Sequence, residues 1–417
     1  MIRGPLRVKL RYRGSRMLVC ALALSATSVA NAQATKIPLC TGLQIVTAVN
    51  QSIGDYESIK TVESTDTTSV RIKYSAEQLV TDFLAADFGS TRRNTSYRSV
   101  RRTDLQSAVL YQQRFFDDLS ESVPETTAIG VSAAVLKSLK STGRAELGLS
   151  SAYSGEFPAD RSKSPNVYDF MQTAQLTRVG TTPVMLPVMV NGVSVELPAI
   201  QARGEVGGEA SEFLFLDDEA NPLTLRFRIG VDAVAPPNKE MMELCQTMQT
   251  AAPEMTKALC GKAGASDRES LQVVKISHRC SVPAAPQAPQ PASGAAQLEQ
   301  ELATSGKVVI YDIHFSFNSD RIRDESQPRL AEIATVLRKH PDWTLAVTGH
   351  TDAIGTADYN LDLSRRRAAA VKKSLSERHG IATTRLTTAG YGAGQPRDTN
   401  ETLQGRARNR RVELIKQ

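Results

Sequence analysis

The sequence predicts an α+β fold in two modules, and three observations carry the prediction. The stretch "SVPAAPQAPQPASGAAQ" at 281–297 holds four prolines among alanines and glutamines. Such a composition cannot build a core and reads as an extended, semi-rigid spacer, placed at 281–300. Cys40, Cys245, Cys260 and Cys280 all precede it. After it, periods of two and of 3.6 alternate in the order β-α-β-α-β-β, which predicts a mixed sheet with two helices on one face.

Ahead of both modules stands a leader, residues 1–32. Arg3, Arg7, Lys9, Arg11, Arg13 and Arg16 precede the apolar run "MLVCALALSATSVA" and the small-x-small triplet "ANA" at 30–32. This is the three-part form of an export signal, and its apolar run is shorter than the roughly twenty residues needed to span a bilayer as a helix. The formal charge of +6 resides there: without those six cations, 44 of the 50 basic residues remain against 44 acidic ones. A nucleic-acid partner is therefore not indicated, and membrane association is indirect at most.

The module at 33–280 reads as β-rich α+β. "VSAAVLKSLKS" at 131–141 has helical spacing, with Val131, Ala134, Val135 and Leu139 as its apolar face. "VMVNGVSVEL" at 188–197 centres on Asn191-Gly192, the dipeptide suited to a type I′ hairpin turn. "EFLFLDDEANPLTLRFRIG" at 212–230 alternates on both sides of Asn221-Pro222, a second hairpin. An even number of cysteines in an exported chain favours disulfides. The expected pairs are Cys40–Cys280 and Cys245–Cys260. An outer-membrane barrel is disfavoured, because aromatics make up 5% of the chain and the candidate strands are short.

From 301 to 417 the elements are explicit. "KVVIYDIHFSF" reads as a strand, "SQPRLAEIATVLRKHP" as a helix between Pro328 and Pro341, and "TLAVTGH" as a strand. "SRRRAAAVKKSLSERHG" follows as a helix with Ala368, Val371 and Leu375 inward, then "RLTTAGYG" and "RVELIK" as strands. Asp352 follows the end of "TLAVTGH", where loops of such sheets hold ligands. Arg367 is placed about one turn into the next helix. Asn360 and Asp362 are expected to cap or pin the loop between them. A carboxylate and a guanidinium so spaced form either a surface ion pair or a clamp for a zwitterion, the acid taking an ammonium and the fork taking a carboxylate.

Residues 308–417 resemble the OmpA-like C-terminal domain, a peptidoglycan-binding module. The resemblance lies in "GHTD" at 349–352, "YN" at 359–360, "LSRRRA" at 363–368, "GYG" at 390–392, Pro396 and "NETLQGRARNRRVE" at 400–413. It implies that Asp352 and Arg367 bind the diaminopimelate of cell-wall stem peptides, with Asn360 and Arg410 at the border of the site. Asn360 as loop pin and as direct contact both stay open, as do structural and ligand roles for Arg410. His350 is expected to be structural. Ser316 stands where the family often has an acid, so that Asp320 or backbone carbonyls would have to substitute.

The expected protein is a noncovalent peptidoglycan anchor without cofactor or metal, in the periplasm at the cell wall and outer membrane. Residues 33–280 would hold an envelope protein partner, in the manner of a scaffold subunit of an envelope or secretion complex. A cell-wall-acting enzyme in 33–280 is the other reading. No Gly-x-Ser-x-Gly, Ser-x-x-Lys or His-Glu-x-x-His motif is present there, and "SLKS" at 138–141 is misspaced.

Overall fold

The structure is a computed structural model, and it describes residues 36–50, 56–79, 91–113, 121–149, 172–206, 208–231, 270–280 and 294–417. The leader, Cys245, Cys260 and most of the Pro-rich stretch lie outside these residues.

Among the described residues the N-terminal sheet has thirteen strands. Strands β1 (Gln44–Asn50), β2 (Tyr56–Thr65), β3 (Ser69–Leu79) and β4 (Thr91–Arg101) form an antiparallel meander. Helix α1 (Arg102–Ser107), β5 (Leu110–Tyr111), β6 (Thr126–Thr127), helix α2 (Ala133–Thr142), β7 (Arg144–Leu149) and β8 (Gln172–Arg178) follow. Then come β9 (Val184–Val190), β10 (Val193–Val206), β11 (Glu209–Leu216), β12 (Thr224–Ile229) and β13 (Ser270–Ser277). Strand β13 pairs with β12 through its first residues and with β9 through Lys275 and Ile276. With the β9–β10, β10–β11 and β11–β12 pairs, this closes β9 to β13 into a ring.

Both expected hairpins are present. Asn191 and Gly192 take φ of 50° and 82°, the left-handed pair a type I′ turn requires, between β9 and β10. Strands β11 and β12 are the second hairpin. Helix α2 is capped by Ser132, whose Oγ accepts from Val135 N, and closes at Gly143. Its buried face differs from the expected one: Leu136 is inside with Val135 and Leu139, while Ala134 is exposed. The larger side chain takes the buried position. Cys40 and Cys280 form a disulfide that ties the chain ahead of β1 to the end of β13.

The C-terminal sheet runs β14 (Lys307–Ile310), β17 (Arg411–Lys416), β15 (Leu345–His350), β16 (Leu386–Gly390). β14–β17 and β17–β15 are antiparallel and β15–β16 is parallel, so the sheet is mixed. Helices α3 (Gly294–Ser305), α4 (Gln327–Lys339), α5 (Ala357–Glu377) and α6 (Leu403–Asn409) complete it. Ala368, Val371 and Leu375 are fully buried, as the spacing on α5 requires.

Four local expectations change. Helix α3 begins inside the stretch read as spacer, because Leu298 and Leu302 have a core to enter beside α4. Strand β14 ends at Ile310, and only an isolated bridge, Phe315 to Ile322, continues it. Helix α5 begins at Ala357, capped by Thr356 accepting from Tyr359 N, so Asn360 and Asp362 lie within it. Arg367 is therefore roughly three turns along α5 rather than one. Helix α6 adds an element between the last two strands.

The described residues between 36 and 417 belong to one compact unit. The meander explains how the two sheets meet. On β3, Val70, Ile72, Tyr74 and Ala76 face the N-terminal core, while alternate residues Ser75 and Glu77 are also buried. On β1, β2 and β13, Val46, Ala48, Ile59 and Val274 form a second apolar patch that packs on Ala407 and Leu403 of α6. That face of the sheet is met by α6 and by the segment that carries Ser316, Phe317 and Arg323.

Candidate functional site

The candidate site is built on the loop after β15. Gly349 is required there by proximity, since a Cβ at this position would lie 2.2 Å from Ser364 O on α5. The strand and helix thus come together closely enough for residues on each to share one ligand. Gly355, at φ 98°, turns the loop toward α5. The loop is pinned from three sides. Thr351 N donates to Gly392 O, Ala353 N to Asn400 Oδ1, and Asn360 Nδ2 to Ile354 O. Asn409, fully buried, holds Asn400 in turn by donating to its Oδ1 at 2.9 Å.

Within this frame the charges are arranged unequally. Asp352 is buried; its Oδ1 accepts from Ile354 N at 3.0 Å and its Oδ2 from Arg410 Nη1 at 2.7 Å. Arg367 is partly buried, with Nε donating to Ser319 O at 3.0 Å and the guanidinium 4.9 Å above the Phe315 ring. Its terminal nitrogens make no hydrogen bond or ion pair among the described residues. Burial pulls its pKa down to about 10, opposed by the charge of Asp352. A cation held this way has no counter-ion in direct contact among the described residues, and a carboxylate would supply one.

Asp352 and Arg367 form no ion pair with each other among the described residues. Arg410, placed by sequence only at the border, is the direct partner of Asp352. Its second terminal nitrogen is bonded to Glu57 Oε1 of β2, across the junction between the sheets. Burial works against the charge of Arg410, but Glu57 and Asp352 together hold its pKa above the usual value. Glu57 is likewise held well below the carboxylate range by Lys275 and Arg410, against the effect of burial.

Ser316 is buried, and a carboxylate does stand beside it. It is Glu77 of β3, which accepts from Ser316 Oγ and Phe317 N at 3.1 Å each and pairs with Arg321 and Arg93. Asp320, the substitute expected from sequence, is instead occupied by Arg366 at 3.1 Å. His350 is buried and stacked on Tyr391, with Nε2 3.5 Å from Glu413. Among the described residues, no group of three or more His, Cys, Asp or Glu is placed to hold a metal ion. Nothing in the sequence marks Glu57 or Glu77. Only the "NETLQGRARNRRVE" run carried a signal for Asn400 and Asn409.

A mixed four-stranded sheet with this strand–loop–helix site defines the class. Residues 314–410 match the sequence model of the OmpA family and carry an OmpA-family domain. That domain occupies under a quarter of the chain. Among the relatives, outer membrane protein A of Bordetella avium is 40% identical over 117 residues, 28% of this chain and 60% of that one. Outer membrane porin F of Pseudomonas aeruginosa is 38% identical over 24% of this chain and 29% of its own. The peptidoglycan-associated lipoprotein of Brucella melitensis is 39% identical over 20% of this chain and 49% of its own. The matched part thus spans between 29% and 60% of these relatives' lengths. Among solved structures, the peptidoglycan-associated lipoprotein of Burkholderia pseudomallei aligns at 32% identity over 25% of this chain and 88% of its own, with a TM-score of 0.24.

Proposed function

We propose that this protein is a noncovalent anchor to peptidoglycan in the bacterial cell envelope, facing the periplasm. Its ligand is the free amino-acid centre of diaminopimelate in stem peptides. The single observation that carries the reading is Arg367: a partly buried guanidinium with unpartnered terminal nitrogens, beside a carboxylate it does not pair with. Arg367 takes the ligand's carboxylate through its two-pronged geometry and Asp352 takes the ammonium. Asn360 and Arg410 act mainly by holding the loop and Asp352. The names of the lipoprotein relatives, which associate those proteins with peptidoglycan, support the choice of polymer.

No bond is made or broken in this function. One zwitterion held by charge-assisted hydrogen bonds is a weak tether, and strength comes from a polymer that presents many copies. The N-terminal sheet would then present an envelope protein partner at the wall. Co-sedimentation with purified sacculi tests the anchor: the intact protein should pellet, and Asp352→Ala and Arg367→Ala should stay in the supernatant while keeping their circular dichroism. Retention of both variants in the pellet would overturn the reading.

A further inference from the structure

The acidic end of the clamp extends beyond the C-terminal sheet. Lys275 on β13 lies 3.4 Å from Glu57 Oε1, Glu57 is bonded to Arg410 Nη2, and Arg410 Nη1 donates to Asp352 at 2.7 Å. The charges alternate along this line and end on Asp352. Side-chain exposure along it is 9% for Lys275, 17% for Glu57, 21% for Arg410 and 11% for Asp352, so water screens it poorly. Arg323 also donates to Glu57 O at 3.2 Å, and the buried ring of His314 carries two nitrogens without partners.

The register makes the acid at 57 informative. Ser58 pairs with Ala76 across β2 and β3, which sets Glu57 and Glu77 at neighbouring positions on one sheet face. Two carboxylates side by side repel, and this arrangement is stable only with cations opposite them. Lys275 and Arg93 supply one cation each from the N-terminal sheet, and the C-terminal module adds Arg410 to Glu57 and Arg321 to Glu77.

An Asp352–Arg410 pair by itself would be neutral and would compete with an arriving ammonium for the same carboxylate. Along the line Lys275 and Arg410 face Glu57 and Asp352, two cations against two acids; without Glu57 both cations would bear on Asp352 alone and leave its end positive toward an ammonium. Glu57 touches Arg410 and makes no ion pair with Arg367, so the receptor for the ligand's carboxylate stays open.

We propose that Glu57, in the N-terminal sheet, is a positioning residue of the clamp: by sharing Arg410 it keeps Asp352 available to the ammonium of the ligand. This rests on the diaminopimelate reading of the site and adds that the site is completed by both modules. Ligand binding and the contact between the modules are then linked, each favouring the other.

Titration calorimetry on the full chain tests this with two probes, meso-diaminopimelate and pimelate, the same chain without ammonium groups. Glu57→Gln should weaken meso-diaminopimelate binding by about tenfold, the size of an ordinary coupling between linked sites, and leave pimelate binding unchanged. Lys73→Gln, which removes the ion pair with Glu325 across the same junction, should leave both unchanged. An unaltered affinity in Glu57→Gln, or an equal loss for both probes, would overturn the proposal. So would tighter binding, which would make the contact a lid. Failure of the intact protein to bind meso-diaminopimelate would instead remove the clamp reading, and this proposal with it.

Discussion

Arg410 donates to Asp352 at 2.7 Å, and Arg367, the other cation of the site, pairs with neither. The acid is therefore supported and the open cation is not, an asymmetry that a structural ion pair would lack. Exposed ion pairs contribute about 0–1 kcal/mol, too little to organise a loop pinned by four other residues.

Arg367 is the sharper of the two tests. Removing one partner of a buried charged hydrogen bond costs about 2 kcal/mol or more, roughly thirtyfold in affinity. Arg367→Ala should lose at least that much in sacculus binding. Arg367→Lys keeps the charge but not the fork, and should recover only part of it. Full recovery in the lysine variant would show that geometry is irrelevant there.

His314 should make the junction sensitive to acid. It is buried near Lys275, Glu57, Arg323 and Asp312, and burial moves its pKa from 6.5 down to about 4. The folded state thus binds fewer protons than the unfolded one between those values. Its contribution is complete above pH 6.5 and is lost as pH falls toward 4, by about 3 kcal/mol over the window. Urea denaturation of wild type and His314→Gln across this range should show the extra slope only in wild type.

Glu77 holds Ser316, Phe317 and Arg321 to the N-terminal sheet and is 2% exposed. Glu77→Ala would leave those groups without their acceptor, at about 3 kcal/mol, the low end for a buried pair because Arg321 is largely exposed. The measurement is the shift in denaturation midpoint. A shift below a quarter of that would place the holding force in the apolar patch around Ile59 and Ala407 instead.

Gly349→Ala tests the approach of β15 to α5. The added methyl would meet the Ser364 carbonyl and force strand and helix apart, at about 1–3 kcal/mol. Thermal unfolding should fall accordingly, and affinity should fall with it because Asp352 and Arg367 ride on the two separated elements.

Local patterns were sufficient for much of this molecule. The Asn191-Gly192 turn, the inward stripe Ala368, Val371 and Leu375, and the four C-terminal strands follow from backbone preference and periodicity, which neighbouring residues carry in themselves. The Cys40–Cys280 disulfide was among the expected pairs, while Cys245 and Cys260 fall outside the described residues. Helix ends were less legible: α5 starts at Ala357 because Thr356 caps it, although Asn360 and Asp362 offer the same chemistry four and six residues later.

The sequence by itself determined the two candidate charges, the loop between them and the strand–helix order that sets them apart. Only the tertiary structure decided their partners. Glu57 lies 353 positions from Arg410, and Glu77 lies 239 from Ser316. Nothing local distinguishes these glutamates from solvated ones on an exposed strand face. Their meaning comes from the end of α6 and the segment around Ser316 to Arg323 laid across that face, which bury it and make each charge there depend on the one opposite.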